Sequence, residues 1–347
     1  PEYFLSDAHE RSHGTLARRR EEFYARAEAA FRYLESQVDA GRLRFYGVSS
    51  NTCTRPAADA EATSLGAFLD AAKRAGGEGH RFRVLQLPLN LLEPGGVLER
   101  NTGPEGKETA LQHAARHGVG VLVNRPLNAF AGGRLVRLAD REPPPAGPSL
   151  EDLTSSLRAL EDEYRRDIAV QLRTGAGGPP AADLFRWAEE LPGWAQRVQG
   201  LEHWEQVQAQ RVMPVLLPTL QALDRALAGP LAERWHTWRE RYLPAMQAAL
   251  GAVGARAALL SAREARELAA AVDPLLPPER RGETLSRKAL WVATSTPGVS
   301  CVLVGMRAPG YVDDAMGVLG WPSLAGPERV YEALARTATT DEIHRPS

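Results

Sequence analysis

A strand–helix alternation that is broken once by a long strandless block, and then resumes, constrains this chain more than any other feature. Phe23, Ala27, Phe31, Leu34 and Val38 recur at steps of three and four, which predicts a helix over 15–38 that Gly41 stops. A short buried strand is expected over 43–48, ended by Ser49-Ser50-Asn51. A helix over 65–75, a strand over 82–89, a helix over 107–117 and a strand over 119–123 follow. Short links between such elements argue for a parallel α/β sheet. Near Asp140 the alternation stops, and Pro143-Pro144-Pro145-Ala146-Gly147-Pro148 reads as a linker. The block over 140–282 shows no clear strand and reads as an all-α insertion. Leu153, Leu157, Leu160 and Tyr164 stripe one helix, and Phe185 and Trp187 open another. A helix over 204–227 contains Pro214 and Pro218, which should kink or split it. Trp235, Trp238, Tyr242 and Met246 stripe a fourth helix, and 261–272 forms a fifth. The Trp stripe could line a ligand box, but at helical spacing core packing is the simpler reading. After Leu285 come a helix over 286–295, a turn at Pro297-Gly298, a strand over 299–304, and helices over 311–319 and 327–335.

Composition narrows the function. The 347 residues suit one large domain or two ordinary ones. With 42 basic against 43 acidic residues there is no basic field to gather phosphates, which argues against nucleic acid. No uninterrupted apolar run reaches about 18 residues, so no membrane span is expected. Cys53 and Cys301 are too few for a disulfide scaffold or a multi-thiolate metal site. With no signal peptide in view, a cytoplasmic location is expected. Lysine chemistry has three candidates, Lys73, Lys107 and Lys288. The chain opens Pro1-Glu2-Tyr3-Phe4 and its first methionine is Met213, which reads as a fragment or a processed product.

Gly41-Arg42-Leu43-Arg44-Phe45-Tyr46-Gly47-Val48-Ser49-Ser50 resembles the fifth-strand signature of the aldo/keto reductases, in which a helix ends in glycine and a strand ends in Gly-Val-Ser-Asn. Leu34-Glu35, Val38 and Gly41 fit the family's fourth helix. Gln86-Leu87-Pro88-Leu89-Asn90-Leu91 is similar to its sixth strand. Arg125-Pro126-Leu127, with Gly133-Arg134-Leu135, is similar to its seventh. Pro297-Gly298-Val299 through Val304-Gly305-Met306-Arg307 resembles the eighth strand and its cofactor loop. Each match is weak alone; four in order make a specific signal over 1–139 and 283–347. The fold the resemblance implies is a partial (β/α)8 TIM barrel, strands five to eight, with the helical block at 140–282 inserted after strand seven. The activity it implies is hydride transfer between NADP or NAD and a small-molecule carbonyl or alcohol substrate, an aldehyde or ketone. Its cofactor positions fall on Ser49, Ser50, Gln86, Asn124, Arg125, Pro126, Leu127, Gly305, Arg307 and Asp314.

The residue chemistry agrees with several of these positions. In such barrels function sits at the C-terminal strand ends, where Ser49, Ser50 and Gln86 fall. Hydroxyls and an amide suit a nicotinamide carboxamide, which both donates and accepts hydrogen bonds. The competing reading is that Ser49-Ser50-Asn51 caps the next helix. There are departures as well. Asn124 stands where the family has a stacking tyrosine, Ser50 where it has asparagine, Gly305 where a basic residue is frequent, and Tyr311 where an arginine reads the 2′-phosphate. Ala315 replaces an asparagine after Asp314, the acidic position that can accept from the adenine amine. Arg307 is then the local cation for a 2′-phosphate, or simply a solvated charge.

The family's Asp, Tyr, Lys and His lie on segments before the point where this chain starts, since Pro1-Glu2-Tyr3 resembles the stretch just after that histidine. No catalytic residue is therefore expected here, and the chain alone should reduce no carbonyl; the missing N-terminal barrel half is an expected partner. His9 and His13 read as solvated loop residues. His113 and His117 have a chelating spacing, but no third ligand is evident, and a solvated helix end is the simpler account. The helical block is expected to emerge on the cofactor face as a lid. The alternatives are a non-catalytic barrel relic that binds or assembles through this block, and two half-barrels that close one barrel.

Overall fold

In the computed structural model, described over residues 3–10, 14–172 and 180–343, helices α1 (Tyr3–Glu10) and α2 (Leu16–Asp39) precede strand β1 (Tyr46–Ser49). Helix α3 (Leu65–Gly76) leads into β2 (Phe82–Pro88). A turn of helix, α4 (Gly95–Leu98), and a hairpin, β3 (Arg100–Thr102) and β4 (Glu108–Thr109), lead through α5 (Ala110–Arg116) to β5 (Gly120–Asn124). Short strands β6 (Asn128–Ala131) and β7 (Arg134–Arg137) come before the helices α6 (Leu150–Asp167), α7 (Trp187–Arg197), α8 (Leu201–Val207), α9 (Met213–Ala226) and α10 (Gly229–Val272). Helix α11 (Leu285–Ser295), strand β8 (Val299–Val302), α12 (Pro309–Met316) and α13 (Glu328–Ile343) complete the order.

The caps follow from side-chain chemistry. Thr15, Ser149 and Thr284 accept the backbone N–H of the residue three positions on, starting α2, α6 and α11. Thr109 and Gln112 form a reciprocal capping box on α5. Gly41, at φ +69°, takes the left-handed conformation that follows α2.

Strands β1, β2, β5 and β8 form one parallel sheet in their sequence order. Parallel crossovers share one hand, so strands added in one direction carry their helices on one face. The burial agrees: Leu85, Leu87, Val121 and Val123 are wholly buried on that face, each contributing roughly 1.5–3 kcal/mol. Phe31 of α2 packs on Tyr46 and Phe82, with ring centroids 5.3 and 5.4 Å away. On the opposite face Val84, Gln86, Gly120 and Leu122 are half-buried, and Ser49 and Cys301 are exposed. The strand register places Ser49 beside Gln86, Gln86 beside Leu122, and Leu122 beside Cys301.

The chain divides into two compact units, one of Pro1–Gly133, Arg137–Ala139 and Leu268–Ser347, the other of Arg134–Val136 and Asp140–Glu267. Residues 268–282, expected within the insertion, belong to the sheet-bearing unit. In the helical unit Trp235, Trp238, Tyr242, Tyr164 and Phe185 are wholly buried and stacked or edge-on to one another. Trp238 Nε1 donates to the Leu160 carbonyl and Trp235 Nε1 to Asp224, both at 2.7 Å. The Trp stripe is thus core, its polar edges satisfied within the unit.

The helix expected over 204–227 is split ahead of Pro214, as its prolines predict, whereas the two helices expected over 235–246 and 261–272 are one. Pro214 cannot donate to the carbonyl of Gln210, and the chain widens into a π turn over Gln208–Val212 between α8 and α9. The stripes at 235–246 and 261–272 lie on one 44-residue helix, α10. Gly251 and Gly254 cost it only about 1 kcal/mol each, too little to break an alanine-rich run. Over Gly229–Leu275 the chain is helical, long and apolar enough to cross a membrane by length and composition alone. Yet Trp235, Trp238, Tyr242, Met246, Ala249 and Val253 face the core of their own unit.

Candidate functional site

The loops that follow β1, β2 and β5, with Tyr3 and Ser6 of α1, line an open cavity of about 530 Å³. Asn51, Thr52 and Arg55 come from the loop after β1, Glu93 and Gly95 from the segment after β2, and Arg125 and Phe130 from the segment after β5. This is the C-terminal rim of the sheet, where parallel α/β folds place their ligands.

A polar knot builds the rim. Asn90 Oδ1 accepts the backbone N–H groups of Leu92 and Glu93, turning the chain sharply after β2. Its amide donates to Glu93 Oε2 at 2.8 Å and to the Arg125 carbonyl at 3.1 Å. Arg125, at φ +54°, donates to Glu93 Oε1 at 2.7 Å and lies 4.8 Å above the Phe130 ring. Glu93 Oε2 also accepts the Phe130 backbone N–H. Arg55 pairs with Asp59 and Glu61. Each arginine of the cavity thus has a carboxylate partner, and no histidine, cysteine or lysine lines it among the described residues. The cavity offers hydrogen bonds, paired charge and the hydroxyls of Tyr3, Ser6, Thr52 and Thr54. Asn90, Glu93, Arg55 and Phe130 were not among the sequence-derived candidates. An asparagine directly after a strand with a glutamate three positions later was the available signal.

The predicted residues separate into groups. Ser49 and Gln86 are register partners on adjacent parallel strands, so both side chains leave the same open face near the strand ends. Neither side chain has a hydrogen-bond partner among the described residues. Asn124 ends β5 opposite Pro88 on that face, and its buried Oδ1 lacks a partner among the described residues. Ser50 does not join them. Its wholly buried hydroxyl lies 2.7 Å from Thr63 and 3.3 Å from Thr52, closing a trio of hydroxyls under the loop. The one-residue step along the strand turns it to the other side. Arg125 belongs to the rim knot, Pro126 is buried and Leu127 half-buried beside it. Gly305 and Arg307 are exposed. Asp314 accepts from Thr284, Ser286 and Arg287, bracing the start of α11. Its carboxylate is engaged within the chain.

The remaining titratable candidates sit elsewhere. Lys73 and Lys107 pair with Glu78 and Glu105, and buried Lys288 pairs with Asp273 at 2.6 Å; none lies on a strand. His113 Nδ1 lies 2.7 Å from Glu108, and its ring packs 4.4 Å from that of His117. Burial and the neighbouring His113 and Arg116 hold His117 below its usual range. Burial pushes the Tyr24 phenol up to about 12, and its oxygen accepts the Ser64 backbone N–H. His9 lies in α1, and His13 lies outside the described residues.

No protein-family model, no curated protein and no solved structure matches this chain.

Proposed function

We propose that this chain is the cofactor-holding part of an NAD(P)H-dependent oxidoreductase of the aldo/keto reductase type, built as strands five to eight of a (β/α)8 barrel and acting on an aldehyde or ketone. The observation that carries this reading is the Ser49–Gln86 pair, two uncommitted polar side chains held side by side on the open face of a parallel sheet. The orphaned Asn124 Oδ1 on the same face supports it. A hydroxyl and two amides meet the needs of a carboxamide, which has two N–H donors and one oxygen acceptor. When bound, the nicotinamide supplies or takes the hydride. Ser49, Gln86 and Asn124 bind its carboxamide and fix which ring face is presented, a positioning role. At the other end the exposed guanidinium of Arg307 is the cation available for a 2′-phosphate. Ser50 and Asp314 are engaged in hydrogen bonds of the chain's own and take no part.

Calorimetric titration of the chain with NADPH and with NADH tests the proposal. The expected result is saturable binding that Gln86→Ala weakens by roughly tenfold, the loss of one or two hydrogen bonds. Binding equal in the wild type and in Gln86→Ala would remove the pair from the site. A second reading, a barrel relic that no longer takes a cofactor, is favoured by the internal engagement of Ser50 and Asp314. The absence of binding at millimolar nucleotide would decide for it.

A further inference from the structure

The helical unit contains a second cavity, of about 440 Å³, lined by Trp194, Arg197, Val198, His203, Trp204, Val207 and Arg211. We propose that it is a binding site for a small aromatic anion, a planar ring carrying a carboxylate or phosphate group. The walls supply the first half of that chemistry. Half-buried Trp194 is the ring open to the cavity, and Trp204, 2% exposed and fixed in the core, holds it edge-on from behind with ring centroids 6.4 Å apart. Indole faces of this kind stack planar ligands. The volume falls in the range of small-molecule sites, about 300–1,000 Å³.

The polar groups supply the second half, and they are donors. Arg197 closes α7 and Arg211 lies in the π turn. Neither has an ion pair or side-chain hydrogen bond among the described residues. In the same unit Arg134, Arg141, Arg165, Arg186, Arg239 and Arg241 each hold a carboxylate. Arg225 and Arg234 are unpaired as well among the described residues, but Arg197 and Arg211 line one cavity whose lining holds no carboxylate, and this makes a local surplus of positive charge. His203 adds to it: its Nδ1 accepts the Gln199 backbone N–H at 3.2 Å, so the neutral ring carries its proton on Nε2 and donates from there. Guanidinium groups bind carboxylate and phosphate oxygens by paired N–H bonds. The π turn beneath Arg211 belongs to a class of helix irregularity concentrated at ligand sites. The inference is independent of the nicotinamide reading, because it rests on other residues in the other unit.

The test is calorimetry on the full chain with two probes, indole-3-acetate for the carboxylate and adenosine 5′-monophosphate for the phosphate. The expected result is saturable binding of at least one, which identifies the anionic group. The double variant Arg197→Gln/Arg211→Gln should weaken it by about tenfold or more, as loss of charge-assisted hydrogen bonds does. The uncharged counterparts, indole-3-ethanol and adenosine, should bind the wild type weaker by a similar factor; this comparison needs no variant and survives any folding defect. Because both arginines are exposed, the variant should keep the wild-type circular dichroism spectrum. Nucleotide binding that persists unchanged in the double variant belongs to the other unit and overturns the proposal, as does failure of both acids to bind at roughly millimolar concentration. Equal binding of the charged and uncharged rings also overturns it.

Discussion

A methyl group on Gly47 would sit 1.8 Å from the Val84 carbonyl oxygen, across the irregularity where the β1–β2 register shifts between Tyr46 and Gly47. The obstacle is backbone of a neighbouring strand, which cannot turn aside as a flexible side chain would. Gly47→Ala is expected to cost about 3 kcal/mol, the upper part of the range for overpacking. Urea denaturation measures it; a change below about 1 kcal/mol would mean that the strands part easily here. The same residue sets the register two positions on, where Ser49 meets Gln86. This variant should therefore lose the uncommitted polar pair together with its stability. Gly95 plays a comparable part on the rim, since a methyl group there would lie 2.2 Å from the Thr54 carbonyl oxygen.

Elements are joined by buried polar groups that the apolar pattern does not announce. Glu161 of α6 is 1% exposed, and its carboxylate accepts the Ala188 backbone N–H at the start of α7 and the Tyr242 hydroxyl of α10. Burial raises its carboxyl above the ordinary value of 4.5, while the bonds from Ala188, Trp187 and Tyr242 pull the other way. A carboxyl raised in the folded state holds more protons there than in the unfolded chain, so stability falls as pH climbs from 4.5 through the raised value. Glu161→Gln keeps an acceptor for the helix and removes the charge. Its thermal midpoint should lack that component of the pH slope, and an identical slope in both proteins would assign it to another group. The strands and their order were legible because each is a short apolar run between turn signals. The hairpin at β3 and β4 and the strands β6 and β7 were not, since two to four residues carry no period. The site was legible in part. Ser49 and Gln86 follow from strand ends, but the inward turn of Ser50 and the engagement of Asp314 depend on partners 13 and 28–30 positions away.

At the scale of the whole molecule, the helical unit is Asp140–Glu267 with the short segment Arg134–Val136, and its core is its own. The buried cluster runs from Leu157 to Ala257 and includes Trp204, Trp235 and Trp238, with the polar edges of Trp235 and Trp238 bonded to Asp224 and Leu160 of the same unit. Ion pairs between its distant segments, Arg241 with Glu163 and Arg141 with Glu202, are also internal. Close-packed aromatic rings, two of them pinned by their indole N–H groups, specify one packing rather than a fluid cluster, although the buried Trp187 Nε1 has no partner among the described residues. Residues 140–267 expressed alone are therefore expected to fold. Far-ultraviolet circular dichroism should show a helical protein, and the near-ultraviolet bands of the buried tryptophans should be sharp. Calorimetry should give one cooperative transition with an unfolding enthalpy of about 90 kcal/mol near 60 °C, from roughly 0.7 kcal/mol per residue. A helical spectrum without near-ultraviolet structure, together with dye binding and no heat-absorption peak, would describe a molten state. The packing of Trp235, Trp238 and Tyr242 would then depend on the sheet-bearing unit, and the two units would have to be regarded as one folding domain.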